Sequence, residues 1–98
     1  MWLSGAGQED VLLEEEIDVG SGEPADLIVH NDEVNTFDWV MQCFVEVLGH
    51  TPEQSEQLAL LIHLKGKATV KSAAFNELRP KKEALVDRGL SAVIEGRE

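Results

Sequence analysis

Leu27-Ile28-Val29-His30-Asn31-Asp32-Glu33-Val34-Asn35-Thr36-Phe37 begins as a strand, passes through short polar residues and ends where an amphipathic helix starts. In the strand, Leu27 and Val29 share one face and Ile28 and His30 the other. Asn31, Asp32 and Asn35 favour a turn because their short side chains bond the nearby backbone. Turn chemistry accounts for a loop. It does not account for Asp32 and Glu33 side by side, with no Lys or Arg within reach along the chain. Two carboxylates and two amide oxygens without a local cation make an acceptor set for an ammonium group from outside.

Downstream, Thr36 or Asn35 caps a first helix that runs to about Leu48. Phe37, Val40, Met41, Phe44, Val45 and Leu48 recur at helical spacing and form the expected core stripe, widened by Trp39, Cys43 and Val47. Gly49 is placed to end this helix in the left-handed conformation. Thr51-Pro52-Glu53-Gln54 opens a second helix, with Thr51 as cap, Pro52 in the first turn and Gln54 closing a capping box. Its later half, Leu58 to Leu64, is apolar nearly all round and is expected to be buried on several sides; Gly66 stops it. Lys67-Ala68-Thr69-Val70-Lys71 alternates as a strand with Ala68 and Val70 inward. A third helix, with Phe75, Leu78, Leu85 and Val86 as its apolar side, ends at Gly89. Pro80 leaves two starts open for it, at Ser72 with a kink or at about Pro80. Leu90 to Glu95 is a last strand, with Leu90, Ala92 and Ile94 on one face. The order β-α-α-β-α-β predicts an α+β fold: a two-layer sandwich of a three-stranded antiparallel sheet with three helices on one face.

Upstream, residues 1–24 read as an acidic, flexible N-terminal extension, with four glycines, two serines and seven acids. Val11-Leu12-Leu13 and Ile17 could form a passing helical turn, which repulsion among Glu14, Glu15 and Glu16 opposes. The folded core is expected over residues 25–96. Ninety-eight residues suit one small domain. The formal net charge is −11, and its distribution is uneven: residues 1–64 hold fourteen acids and no Lys or Arg, and residues 65–98 hold all eight bases and five acids. Such a balance argues against nucleic acid, whose phosphates need clustered cations, and it favours cationic ligands near the loop. No run approaches the roughly 18 apolar residues of a membrane span, and no basic-then-apolar leader is expected at the start. A single cysteine, Cys43, fits a reducing cytoplasm and reads as core packing.

At its loop and at Leu58-Ala59-Leu60-Leu61-Ile62-His63-Leu64-Lys65-Gly66-Lys67, the sequence resembles the ClpS adaptors, over roughly residues 25–95. Asn-Asp-Glu after a hydrophobic strand, then a helix, then His-x-x-Gly-Lys carry the likeness. The resemblance implies an adaptor without enzymatic activity, metal or cofactor. It would bind the free N-terminal residue of N-degron substrates, bulky and hydrophobic (Leu, Phe, Trp or Tyr), and deliver them to the N-terminal domain of a ClpA-like AAA+ ATPase for proteolysis. It also implies that the extension engages the ATPase and that the protein acts as a cytoplasmic monomer. Asn31, Asp32, Glu33, Asn35 and His63 stand where the family grips the amine and backbone. Phe37, Val40, Ala59, Ile62 and Leu90 stand where it lines the side-chain pocket. An ammonium has three N–H donors, for which the amide oxygen of Asn31, a carboxylate of Asp32 or Glu33 and a neutral ring nitrogen of His63 are candidate acceptors; in the alternative, a carboxylate carries most of the attraction and His63 bonds the first peptide group. The chain departs from the usual pattern at Glu33, where a second Asp is frequent. It departs again at Asn35-Thr36-Phe37, where Thr-Pro-Met is frequent, and at Ala59, where a larger residue is common.

Two other classes compete. Asp32, Glu33 and His63 could serve a metal or acid–base chemistry, but no His or Cys pair has ligand spacing and no nucleophile sits beside a base. A general protein-interaction domain, docking on a partner without reading N-termini, would use the same fold.

Overall fold

Seven residues, Pro24–His30, form the central strand, and the rest of the molecule is arranged about it. A computed structural model of the chain describes residues 22–97. In chain order the elements are β1 (Pro24–His30), α1 (Phe37–Leu48), α2 (Pro52–Lys65), β2 (Lys67–Ala74), α3 (Phe75–Asp87) and β3 (Ser91–Gly96). The sheet runs β2-β1-β3, with both neighbours antiparallel to β1. The architecture is the α+β sandwich that the alternation of elements predicts. The extension expected over residues 1–24 lies outside the described residues apart from Gly22, Glu23 and Pro24.

Leu27 and Val29 are buried in the core with Cys43, Phe44, Leu48, Ile62, Leu78, Leu85 and Leu90. Ile28 turns to the opposite face yet is only 7% exposed, because Thr69 and Val93 flank it on the neighbouring strands. A central strand is screened on both sides by its partners, so one-sided alternation understates its burial.

Both helix starts follow from their side chains. The Thr36 hydroxyl accepts the Trp39 N–H at 3.1 Å, so Thr36 and not Asn35 is the cap of α1. Thr51 and Gln54 form the reciprocal capping box of α2. Gly49 closes α1 at φ 73°, in the left-handed region that costs glycine little.

Four expectations need correction. The buried face of α1 is centred on Cys43, Phe44 and Leu48, while Phe37 and Val45, placed in the stripe by spacing, are each 38% exposed. The later half of α2 is not covered all round: Ser55, Ala59 and Ile62 are buried, but Leu60, Leu61 and Leu64 are exposed, Leu64 to 67%. One layer of helices covers one side of α2 only, whatever the composition of the other.

The remaining two concern the segment after Gly66. β2 continues past Lys71 to Ala74, because its alternation changes phase at a bulge. Leu27 pairs with Lys71 and Ile28 with Thr69, which leaves Val70 as the extra residue. Ala68 and Val70 before that point and Ala73 after it all pack on the core. α3 then starts directly at Phe75, at neither of the two positions left open, with Pro80 inside it. Pro80 removes one intrahelical donor; Leu78 and Leu85, fully buried on either side of it, hold the helix to the sheet. Ala74 has no capping side chain, and the Phe75 N–H instead donates to the Glu23 carbonyl at 2.9 Å.

Candidate functional site

The loop between β1 and α1 is built around one carboxylate. Asp32 Oδ1 accepts the backbone N–H groups of Val34 at 2.9 Å and Asn35 at 3.0 Å, and also the Asn35 side-chain amide at 3.0 Å. Oδ2 accepts that same Asn35 amide at 3.0 Å and the Ser91 hydroxyl at 3.2 Å. The two local backbone bonds are what an aspartate in a turn makes readily. The bond from Ser91 comes from the other end of the chain, because the antiparallel register sets the first residue of β3 opposite His30, beside the loop.

Asn35 carries the tether further. Its Nδ2 donates to the Gly89 carbonyl at 2.8 Å, in the turn that leaves α3. Gly89 sits at φ 95°, where any residue with a Cβ would be strained. Two more bonds hold the ends of the loop: Asn31 N–H to the Gly66 carbonyl at 2.8 Å, and the Trp39 indole N–H to the Arg88 carbonyl at 3.0 Å. Arg88 also lies over the Trp39 ring, 6.0 Å from its centroid, and pairs with Glu46. The loop is thus moored to the turn after α2 and to the turn after α3.

These contacts set the electrostatics. The Asn35 backbone N–H, above all, holds the Asp32 carboxyl below its ordinary range; partial burial opposes this, and the Asn35 amide, the Val34 N–H and the Ser91 hydroxyl assist it. Asp32 is therefore a fixed negative charge whose oxygens are already occupied. Glu33 differs: it is exposed and makes no ion pair or hydrogen bond among the described residues. At Cys43, burial pushes the thiol up, only partly offset by Arg88, which leaves an inert packing residue.

Beside the loop, between α1 and α2, lies a hollow of about 330 Å³. Asn31, Asp32, Glu33, Asn35 and His63 form its polar side, and Phe37, Val40, Ala59 and Ile62 its apolar side. Nine of the ten residues singled out in the sequence thus meet at one surface. His63 is exposed rather than a core histidine, one residue beyond buried Ile62 on α2. Leu90, the tenth, does not line this hollow. It is buried behind it, bordering a small gap of about 20 Å³ with Val40, Ile62 and the loop. An apolar cavity of about 150 Å³ is enough to hold benzene, so an aromatic side chain and the group bearing it both fit. No Lys or Arg lines the hollow. Among the described residues, no group of three or more His, Cys, Asp or Glu is placed to hold a metal ion. No helix among them is long and apolar enough to cross a membrane.

Sequence reasoning missed the supports: Ser91, Gly89, Gly66 and Trp39. Only the glycines leave a signal, as helix stops, and nothing in the linear order says that their carbonyls serve this loop.

The family model for the ATP-dependent Clp protease adaptor protein ClpS matches residues 21–93. Curated relatives carry the same description. The ClpS of Streptomyces coelicolor is 32% identical over 68 residues, 69% of this chain and 71% of that protein. The ClpS of Streptomyces avermitilis is 34% identical over 68 residues, 69% and 65% of the two. The ClpS of Corynebacterium aurimucosum is 32% identical over 82 residues, 82% and 74%. The fold is similar to that of Agrobacterium tumefaciens ClpS2, solved bound to L-phenylalaninamide. The TM-score is 0.74 at 16% identity, over 79% of this chain and 100% of that one. Matched over most of its length in sequence and sharing the fold, the chain belongs to the ClpS family of Clp protease adaptors.

Proposed function

We propose that the hollow beside the Asn31–Asn35 loop binds the free N-terminal residue of a substrate protein, and that the chain delivers that substrate to a Clp-type AAA+ ATPase for proteolysis. The observation that carries this reading is the division of the hollow into a cation-free acceptor rim and an apolar floor. A chain start has the same two parts, an ammonium and a side chain. L-phenylalaninamide, the ligand of the Agrobacterium neighbour, is an ammonium and a benzyl group joined at one carbon, and it stands for an N-terminal phenylalanine.

The roles divide by availability. Asp32 supplies charge and orders the loop. The free acceptors for the ammonium N–H groups are then the Asn31 amide oxygen and the Glu33 carboxylate, with His63 on the same rim to bond the ammonium or the first peptide group. Asn35, tied to Asp32 and Gly89, holds the rim in shape. The incoming side chain packs against Phe37, Val40, Ala59 and Ile62, with Leu90 behind them. Phe37 sets a rigid ring at the mouth and Ala59 leaves room on the floor, which suits Leu, Phe, Trp and Tyr. Burying one such side chain contributes roughly 1.5–3 kcal/mol. Together with one charged grip this supports a micromolar ligand, about −8 kcal/mol. Residues 25–96 serve as the adaptor core and residues 1–24 as the extension that engages the N-terminal domain of a ClpA-like ATPase in the cytoplasm.

Calorimetry with short peptides beginning Leu, Phe, Tyr, Trp and Val tests the reading. The first four are expected to bind more tightly than Val, and an N-acetylated Phe peptide not to bind. Equal binding of the acetylated peptide would show that no ammonium is read and would leave a general docking surface in its place.

A further inference from the structure

A second hollow, of about 510 Å³, lies on another part of the molecule, between α3 and the edge strand β3. Its floor is apolar, from Phe75, Ala92, Val93 and Ile94, and its rim carries Arg79, Lys82 and Glu83. Arg79 and Glu83 pair at 3.8 Å, both more than half exposed, a geometry worth little in water. Lys82 makes no ion pair among the described residues. The other arginines already face acids, Arg88 with Glu46 and Arg97 with Asp26. The groove is therefore an apolar trough with unspent positive charge, on a chain of net charge −11.

One segment of the same chain has the complementary pattern. Glu9-Asp10-Val11-Leu12-Leu13-Glu14-Glu15-Glu16-Ile17-Asp18 sets four apolar residues among six acids, without a single base. It precedes the described residues and enters them beside the groove: the Phe75 N–H donates to the Glu23 carbonyl at 2.9 Å, so one end of the groove abuts the point where the chain joins β1. Extended backbone spans roughly 17 Å from Gly22 back to Ile17 and roughly 33 Å back to Leu12. From Phe75 to Lys82 the helix rises only about 10 Å. Reach is ample, and a tether this short gives an effective concentration on the order of millimolar, so weak contacts suffice.

We propose that residues 9–18 of this chain dock into the groove between α3 and β3, with Leu12, Leu13 and Ile17 on the apolar floor and the flanking carboxylates against Arg79 and Lys82. The contact is intramolecular and independent of the ligand proposed for the other hollow. The segment then competes with any partner for this face, and binding of either the segment or the groove by something tighter releases the other.

Methyl and amide NMR spectra of the full chain test this, because substitutions in the segment leave the core sequence untouched. In Glu14→Lys/Glu15→Lys/Glu16→Lys and in Leu12→Asn/Leu13→Asn, the signals of Val93, Ile94, Phe75 and Arg79 are expected to shift more than any other core signals. Those of Asn31–Asn35 should stay in place. About 1 M salt, where the Debye length is roughly 3 Å, is expected to move the groove signals of the unsubstituted chain the same way. Arg79→Glu/Lys82→Glu combined with the three tail lysines should restore those of Phe75, Val93 and Ile94. Groove signals unmoved by both tail variants, or shifted no more than the rest of the core, would overturn the proposal. So would shifts that grow with protein concentration, which would make a second copy the occupant.

Discussion

The two sides of the hollow beside the Asn31–Asn35 loop are held in place by different physics. The apolar wall stands on side chains that belong to the core: Ala59 and Ile62 are buried on α2, and Leu90 is buried behind them. The polar rim stands on six hydrogen bonds that converge on Asp32 and Asn35 from the loop itself, Ser91 and Gly89. The wall is shaped by packing that the fold needs anyway. The rim is shaped by hydrogen bonds of residues that lie outside the packed core. Damage to the wall should therefore appear as lost stability and lost binding together, and damage to the rim as lost binding alone.

Ile62→Ala is the largest breach of the wall. Truncation of a buried isoleucine costs about 2–5 kcal/mol, from lost transfer energy plus the cavity left behind. Chemical denaturation should show that loss, and a Phe-initiated peptide should bind more weakly to the fraction still folded. Asp32→Ala is the matching breach of the rim. It removes the fixed charge and the acceptor of two loop N–H groups, so a loss of about 100-fold in peptide affinity, about 2.7 kcal/mol, is expected. The denaturation midpoint should move far less than for Ile62→Ala. If Asp32→Ala instead unfolds the chain as readily, the rim is part of the core and the contrast fails.

What could be read beforehand follows the same division. Features set by one side chain at one place were legible: Thr51 as a cap, Gln54 in the capping box, Gly49 and Gly66 as stops, the Asn31–Asn35 loop itself, and Thr36 as one of two caps left open for α1. Features set by distant partners were not. The bulge at Val70 depends on how β2 meets β1, and it set the start of α3 at Phe75, between the two positions left open. The exposed Leu60, Leu61 and Leu64 read as core because composition cannot tell how many neighbours a helix will have. Asp32 looked like a free acceptor for the same reason: its bonds to Asn35 span three residues, but the bond from Ser91 spans fifty-nine. The residues that line the hollow could be named because the family resemblance placed them together; the residues that hold them in place could not.

Ser91→Ala sharpens the contrast at smaller scale. It removes one long hydrogen bond, 3.2 Å, to a partly exposed carboxylate. A net loss of about 0.5–1.5 kcal/mol is expected, seen in peptide affinity as roughly a two- to thirteenfold weakening, with little change in the denaturation midpoint. An unchanged affinity would mean that the local Asx turn alone holds Asp32, and that the mooring to β3 is incidental.

The smallest effect near neutral pH, and the most specific, is the dependence of binding on pH. Hydrogen bonds in the folded state depress the Asp32 carboxyl below its ordinary value, the Asn35 backbone N–H contributing most. A depressed carboxylate contributes stability that is fully present above its unfolded value, about 3.9. That contribution is lost as pH falls through the lower, folded value. The part of the acid limb of peptide binding that belongs to Asp32 should therefore begin below about pH 4 and should be accompanied by loosening of the loop, visible as faster amide exchange at Val34 and Asn35. The basic limb belongs to the ligand. A free α-amino group titrates near 7.7–8.0, and an acidic rim raises that value on binding, so affinity is full below about pH 8 and falls as pH rises through the bound value. Asp32→Asn keeps the size of the side chain but removes the charge and one acceptor, and it should flatten that part of the acid limb while leaving the basic one. An acid limb below about pH 4 that persists in Asp32→Asn would transfer the essential charge to Glu33, the rim carboxylate with no partner in the loop.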